Sequence, residues 1–349
     1  MKNVELNSMI RPDLIGMKPY SSARDEFEGS ASVYLDANEN PFNNGVNRYP
    51  DPLQKSLKSR ISEIKDIPAN QIFLGNGSDE CIDLLFRLLC RPGTDKAASI
   101  APSYGMYGVS ARINQVELVE ILLNEDFSLD TDKILRESQG CKLLFLCSPN
   151  NPTGQCFSRN DLIKLIENFD GIVVIDEAYI DFADQASMLN DLQNYPNLAV
   201  SQTFSKAFGM AGIRLGLLFG SVELIDWINR IKPPYNINQL TQEFALNKLI
   251  DISEVNEQIH QIRSEREKLI GQLQGLEIVK TVYPSDANFV LIRVPDAEAL
   301  YTYLTSLGIV VRNRSTQPLC DNTLRITVGK PEENTQLITA IKDFQSVIS

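Results

Sequence analysis

From about residue 70 to residue 232, short runs of continuous apolar residues alternate with segments of helical spacing, and this alternation constrains the fold more than any other feature. The runs lie at 72–74, 97–101, 117–122, 142–147, 172–175, 199–202 and 215–219, with helical patterns such as 79–89 and 161–169 between several of them. A strand apolar on both faces must be covered on both faces, and an intervening helix lets successive strands run parallel. The expected fold class is therefore α/β, a mostly parallel central sheet with helices on both faces. The C-terminal part follows another pattern. Helical segments at 238–250 and 252–273 lead to strands at 287–294 and 324–328, and a closing helix starts near Pro331, which implies a smaller α+β layer. The first 45 residues are rich in turn formers (NENPFNNG) and weakly periodic, as in an extended arm. The expected division is an arm over 1–45 packing with the small domain, a large domain over 46–235 and a small C-terminal domain over 236–349. A chain of 349 residues, 43% of them hydrophobic, supports two cores better than one.

Charge and rare residues remove whole classes of function. With 33 basic and 45 acidic residues the net charge is −12, which argues against a nucleic-acid partner and against anionic membranes. Any anionic ligand must then be held by a local cluster of positive groups. The N-terminus, MKNVELNSMI, lacks a signal-peptide apolar core, and no stretch approaches the ~20 apolar residues that span a bilayer. The six cysteines show neither C-x-x-C pairing nor zinc spacing, and three of them sit in apolar runs as small core residues; a reducing, cytoplasmic compartment is expected, with no metal site. The one histidine, His260, sits in the polar segment EVNEQIHQIRSEREK, as on a solvated helix face. Histidine triads and multi-histidine metal sites are thereby set aside. Proton transfer must fall to another residue type.

In a parallel sheet, ligands bind beyond the carboxyl ends of the strands, and four segments lie there. GNGSDE at 75–80 joins a strand to a helix; its small residues and free N–H groups suit a phosphate, although a tight turn with a Ser78 cap explains them equally well. SPNNPTG at 148–154 is rich in turn formers, yet Asn151 also places an amide donor at the strand's end. In VVIDEAYIDF, Asp176 follows apolar strand residues, and a carboxylate so placed needs a cation or strong donors. A protonated pyridine nitrogen is such a partner, and Tyr179 adds a hydroxyl nearby. In SQTFSKAFGMAGIRLG, Lys206 stands among Phe204, Ala207 and Phe208, behind Thr203 and Ser205 and ahead of Arg214. Apolar surroundings and cations lower an amine's pKa toward carbonyl chemistry, and hydroxyls with a guanidinium bind phosphate.

Together these residues offer what pyridoxal 5'-phosphate requires. Lys206 is the amine for its aldehyde, Asp176 the partner of its ring nitrogen, and Asn151 with Tyr179 the donors to its ring oxygen. Gly77, Ser78, Asp79, Thr203, Ser205 and Arg214 make a phosphate cup, and Tyr104 of APSYGMY can stack on the ring. The order Asn-Pro-x-Gly, Asp-x-x-Tyr, then Lys206 behind hydroxyls resembles the fold-type I aminotransferases. KPYSSAR (18–24), LDANENP (35–41), NRYPDP (47–52) and VVRNRSTQPLCDNTLRITVG narrow the likeness to the class II histidinol-phosphate aminotransferases, over nearly the whole chain.

The resemblance implies amino transfer from L-histidinol phosphate to 2-oxoglutarate, in histidine biosynthesis, by a homodimer. It implies that Tyr49 reaches the neighbouring subunit's cofactor and that Arg325 binds substrate anion. Tyr20, Asn38, Tyr235 and Arg312 are implied as further substrate-side residues. It also implies Lys206 as the proton carrier, in keeping with the lack of a useful histidine. A threonine-phosphate decarboxylase or an aromatic or aspartate-type aminotransferase would share the fold. A non-catalytic cofactor-binding regulatory domain is a rival of another class, but no basic helix-turn-helix extension accompanies the chain. A nucleotide-binding protein built on GNGSDE would lack its G-K-[ST] element.

Overall fold

The computed structural model describes residues 6–18 and 32–348. Its larger sheet has seven strands: β1 (Ile72–Asn76), β2 (Lys96–Ala101), β3 (Glu117–Leu122), β4 (Cys141–Cys147), β5 (Ile172–Asp176), β6 (Leu198–Thr203) and β7 (Leu215–Phe219). Their order is β1-β7-β6-β5-β4-β2-β3. β3, β2, β4, β5 and β6 run parallel, and β7 alone lies antiparallel, to β6 and to β1. Each apolar run of the sequence is one of these strands.

Adjacent residues of a strand point to opposite faces, and inside the exposed edge strand β3 both faces are dry. Phe73, Phe145 and Leu218 pack with helices α3 (Ser78–Leu89), α4 (Met106–Ile113) and α7 (Val222–Ile231). Leu74, Leu144 and Leu217 pack on the other side with α2 (Lys55–Lys65) and α6 (Arg159–Asn168). Two-sided burial is why the strands inside that edge lack polar alternation.

A four-stranded antiparallel sheet forms the second layer, in the order β10-β11-β9-β8. Its strands are β8 (Thr281–Val282), β9 (Phe289–Arg293), β10 (Arg312–Asn313) and β11 (Thr323–Thr327). Val290, Ile292, Leu324 and Ile326 bury one face under α9 (Ser253–Gln274), α10 (Ala297–Ser306) and α11 (Pro331–Ile348). The opposite face meets the large sheet's layer, since Leu291 joins that layer's core and Phe289 packs with Tyr179 and Phe182. The two-residue strands β8 and β10, and α10, were not anticipated; two residues are too few to show alternation.

Two segments at the margins of the layers pack with the large sheet. Leu6 and Ile10, four residues apart and so on one helical face, insert into the core under α3 and α7. The Arg11 N–H donates to the Leu88 carbonyl at 3.0 Å, and the Trp227 indole N–H donates to the Asn7 side chain at 3.1 Å. The described start of the arm thus packs with the large sheet and not with the smaller layer. Helix α8 (Gln239–Lys248) belongs with the large sheet too: Ile237, Ala245 and Leu249 join its core, and Arg60 of α2 donates to the Leu249 carbonyl at 2.7 Å. The expected boundary at 235/236 lies just ahead of this helix. Among the described residues no helix is long and apolar enough to cross a membrane.

Candidate active site

Parallel pairing in register brings three strand ends side by side. Cys147 of β4 lies opposite Asp176 of β5, which lies opposite Ser201 of β6. The loops leaving these ends carry Asn151, Tyr179 and Lys206, and all three line one cavity. Ser78, Asp79, Tyr104, Asp176, Thr203, Ser205 and Arg214 line it as well. Most of the residues singled out in four separate segments therefore meet at the carboxyl edge of the sheet.

Lys206 presents its amine to this cavity. Its Nζ lies 5.6 Å from the centre of the Tyr179 ring. By surface area the residue is exposed, but that surface lines the cavity. Partial desolvation, then the guanidiniums of Arg325 and Arg214, pull its pKa below the usual lysine value, while Asp176 and Asp79 oppose the shift. Asp176 is 3% exposed. Burial raises its pKa; the Tyr107 hydroxyl, donating at 2.7 Å, and the Ala178 N–H, donating at 3.2 Å, hold it back. Tyr179 is buried and its phenol pKa is raised, chiefly by desolvation.

The opposite end of the cavity suits an anion. Gly77, not Ser78, caps α3, and among the described residues no side chain bonds the helix's first free N–H groups. Those donors face a site that also holds Ser205 and Arg214. Gly77 has a φ of +78°, and a Cβ there would lie 2.6 Å from Nη2 of Arg214. That guanidinium stands 3.5 Å from Ser205 Oγ and 3.5 Å from Asp79 Oδ2. Tyr104 leans over the same end and donates to Asp79 at 3.0 Å. Thr203 is more committed than its sequence position suggested. Its hydroxyl donates to the Leu215 carbonyl and accepts from the Ser205 N–H, so it braces the loop.

The small sheet closes one side. Arg325 of β11 donates to Asn151 Oδ1 at 2.5 Å and lies over the Phe289 ring. Arginine only donates, so the atom facing it is the amide oxygen, and the Asn151 NH2 is left for another acceptor. Among the described residues no hydrogen bond engages that NH2. Arg312 is the cross-strand partner of Arg325.

The remaining expectations fall elsewhere. Asn38, Tyr49 and Tyr235 line a different, open cavity of about 520 Å³, where the Tyr49 and Tyr235 rings stack with centroids 4.4 Å apart. They do not line the Lys206 cavity of their own chain. Tyr20 lies outside the described residues. Two polar groups at the site escaped the sequence reading. Tyr107 meets Asp176 across 69 residues of sequence, and only its place one helical turn after Tyr104 hinted at it. Arg314 is two residues beyond Arg312, and its nearness to Tyr179 and Arg325 follows from strand pairing alone.

This donor set fits pyridoxal phosphate. An uncapped helix start with Ser205 and Arg214 suits the phosphate, and a buried carboxylate suits a ring nitrogen that carries a proton. An unengaged amide NH2 beside a phenol suits a ring oxygen, and a depressed lysine suits an aldehyde.

Comparison with known proteins agrees. The profile of the family "Aminotransferase class I and II" matches residues 30–341. A histidinol-phosphate aminotransferase of Christiangramia forsetii is 51% identical over 349 residues, covering 99% of this chain and 100% of that protein. The crystal structure of the histidinol-phosphate aminotransferase from Clostridium acetobutylicum superposes with a TM-score of 0.80 at 28% identity, over 86% of this chain and 91% of that one. That of the Sinorhizobium meliloti histidinol-phosphate aminotransferase, in complex with pyridoxal-5'-phosphate, shares the fold with a TM-score of 0.78 at 21% identity, over 86% and 84% of the two chains.

Proposed function

The chain belongs to the histidinol-phosphate aminotransferases of class I and II, and we propose that it moves the amino group of L-histidinol phosphate to 2-oxoglutarate. The products are imidazole acetol phosphate and L-glutamate, and the step belongs to histidine biosynthesis. The observation that carries the substrate is the 51% identity held over 99% of the chain. The gathering of Lys206, Asp176, Asn151 and Tyr179 in one cavity supports the cofactor, pyridoxal 5'-phosphate.

Bound pyridoxal phosphate supplies an aldehyde that joins the donor's amine and a ring that accepts the electron pair left when Cα–H breaks. The protein's residues do the rest. Lys206 anchors the cofactor through its amine; displaced by the donor, that amine takes the Cα proton, and its lowered pKa raises the neutral fraction that can do so. Asp176 keeps a proton on the ring nitrogen. Tyr179 and the free NH2 of Asn151 donate to the ring oxygen, and Tyr104 covers the ring. The N–H groups of Ser78 and Asp79, with Ser205 and Arg214, hold the phosphate, while the Gly77 N–H is spent on the Arg214 carbonyl at 2.8 Å. Arg325 and Arg312 take the donor's anionic end; a guanidinium fork accepts a phosphate or a carboxylate, so both amino donors can use one seat. Tyr20, Asn38 and Tyr235 complete the substrate side, by likeness to the family.

The working form is a homodimer in which Tyr49 enters the partner's cavity. Support comes from the open cavity around Tyr49 and from the exposed apolar side chains of Leu35, Phe42, Leu240 and Phe244 in the segments about it. The compartment is the cytoplasm, in line with six free cysteines, most of them buried.

The test is an amino-transfer assay on the purified protein supplied with pyridoxal phosphate. Transfer from histidinol phosphate to 2-oxoglutarate should exceed transfer from phenylalanine, threonine phosphate should release no carbon dioxide, and borohydride should fix the cofactor on Lys206. Faster turnover of phenylalanine, decarboxylation, or labelling of another lysine would sink the reading.

A further inference from the structure

We propose that Arg314 is the third arginine of the substrate-anion seat, beside Arg312 and Arg325, and that its added charge selects a doubly charged phosphate over a carboxylate. The inference deepens the transaminase reading of this site and rests on it.

The pairing of β10 with β11 sets Arg312 directly opposite Arg325. The Arg314 N–H donates to the Thr323 carbonyl at 2.9 Å, so the pairing continues one step past the strand. Side chains alternate with period two, which puts Arg312, Arg314 and Arg325 on one face. Like charges set opposite each other weaken a sheet. In a chain of net charge −12 an acidic partner would be easy to supply, yet among the described residues none of the three forms a salt bridge. Arg325 spends one bond on Asn151, and Arg314 Nε is buried with no hydrogen bond at all. Burial and the charges of Arg325 and Arg312 pull the Arg314 pKa down to about 10, which leaves it cationic at neutral pH. The other titratable groups beside it are Tyr179 and Cys320, neither of them a carboxylate.

Such a cluster is strained when empty and relieved by an anion. A carboxylate brings one charge and two oxygens, which one or two forks satisfy. A phosphate monoester brings about −1.5 to −2 charges and three terminal oxygens at pH 7. Only the second has work for a third guanidinium.

The experiment compares wild type, Arg314→Gln and Arg314→Lys as holoenzymes, following each half-reaction by cofactor absorbance. The Gln variant should raise KM for histidinol phosphate at least tenfold more than KM for glutamate, with Lys recovering part of the difference. Equal effects on both donors, or none, overturn the proposal. Inorganic phosphate, used as a competitive inhibitor of the glutamate half-reaction, should bind the Gln variant at least fivefold more weakly. This arm separates the two readings: if wild type ignores histidinol phosphate, the proposed substrate fails, while the phosphate difference still decides Arg314. Thermal melting guards against a folding defect. Without phosphate the Gln variant should melt no lower than wild type, and phosphate should raise the wild-type midpoint more. A lower midpoint with no difference in the phosphate response would reveal a merely structural arginine and overturn the proposal.

Discussion

Asp176 is 3% exposed, and among the described residues no cation pairs with it. Its hydrogen bonds come from the Tyr107 hydroxyl and the Ala178 N–H. Burial raises its pKa, so the carboxyl contributes most to stability when protonated, and that contribution is lost as pH rises through the folded-state value. Tyr107 offsets part of the loss, because a hydrogen bond to a charged group contributes about 1.5–3 kcal/mol. Removing it in Tyr107→Phe raises the Asp176 pKa further. The cofactor-free variant should therefore be less stable than wild type at pH 8 by about 1–3 kcal/mol, with the gap closing on acidification. Denaturant unfolding at both pH values checks the sign, and a weaker dissociation constant for pyridoxal phosphate should accompany it. A gap that persists in acid would assign Tyr107 to packing alone. Asp176 was legible in sequence because an acid at the end of an apolar strand demands a partner. Tyr107 was not, because its stacking on Phe145 and its bond to Asp176 both depend on how α4 lies over the sheet.

At the scale of elements, the start of α3 is set by how closely β7 approaches it. A Cβ on Gly216 would stand 2.2 Å from the Ser78 nitrogen and 2.3 Å from the Gly77 carbonyl carbon. Backbone cannot yield as a flexible side chain does, so Gly216→Ala must push the helix start away. Overpacking of this kind costs about 1–3 kcal/mol. The variant should melt lower and bind pyridoxal phosphate at least tenfold more weakly, as equilibrium titration of the cofactor-free protein would show. Wild-type binding would mean that the helix start does not hold the phosphate. The long elements were readable because each buries a run that spells its period. The second-layer pairing of β10 with β11 was not, since two residues carry no period, and it is this pairing that collects the arginines.

At the scale of the whole molecule, expected site residues divide between two cavities. Those that hold Lys206 company line one; Asn38, Tyr49 and Tyr235 line the other. A two-fold pair of chains reconciles them if the second cavity faces the partner's first. Mixing inactive Lys206→Ala with inactive Tyr49→Phe subunits should then restore activity. Random exchange puts about half of the subunits in mixed pairs, each with one complete site, so recovery should approach about a quarter of wild type. No recovery after verified exchange would place Tyr49 in its own chain's chemistry or in none. The motif carrying Tyr49 was readable, but only the family resemblance gave it a destination, because the separation of the cavities exists only after folding.

The bond from Arg325 to Asn151 joins residues 174 positions apart, one on the small sheet and one in the loop that leaves β4 of the large sheet. A guanidinium has five N–H donors, so one hydrogen bond to Asn151 leaves four for an arriving anion. The same rigid plane would then touch the anion at the rim and the amide at the floor. Any tilt that the anion imposes on the plane turns the Asn151 NH2 as well, so loading and unloading the rim are mechanical events for the floor.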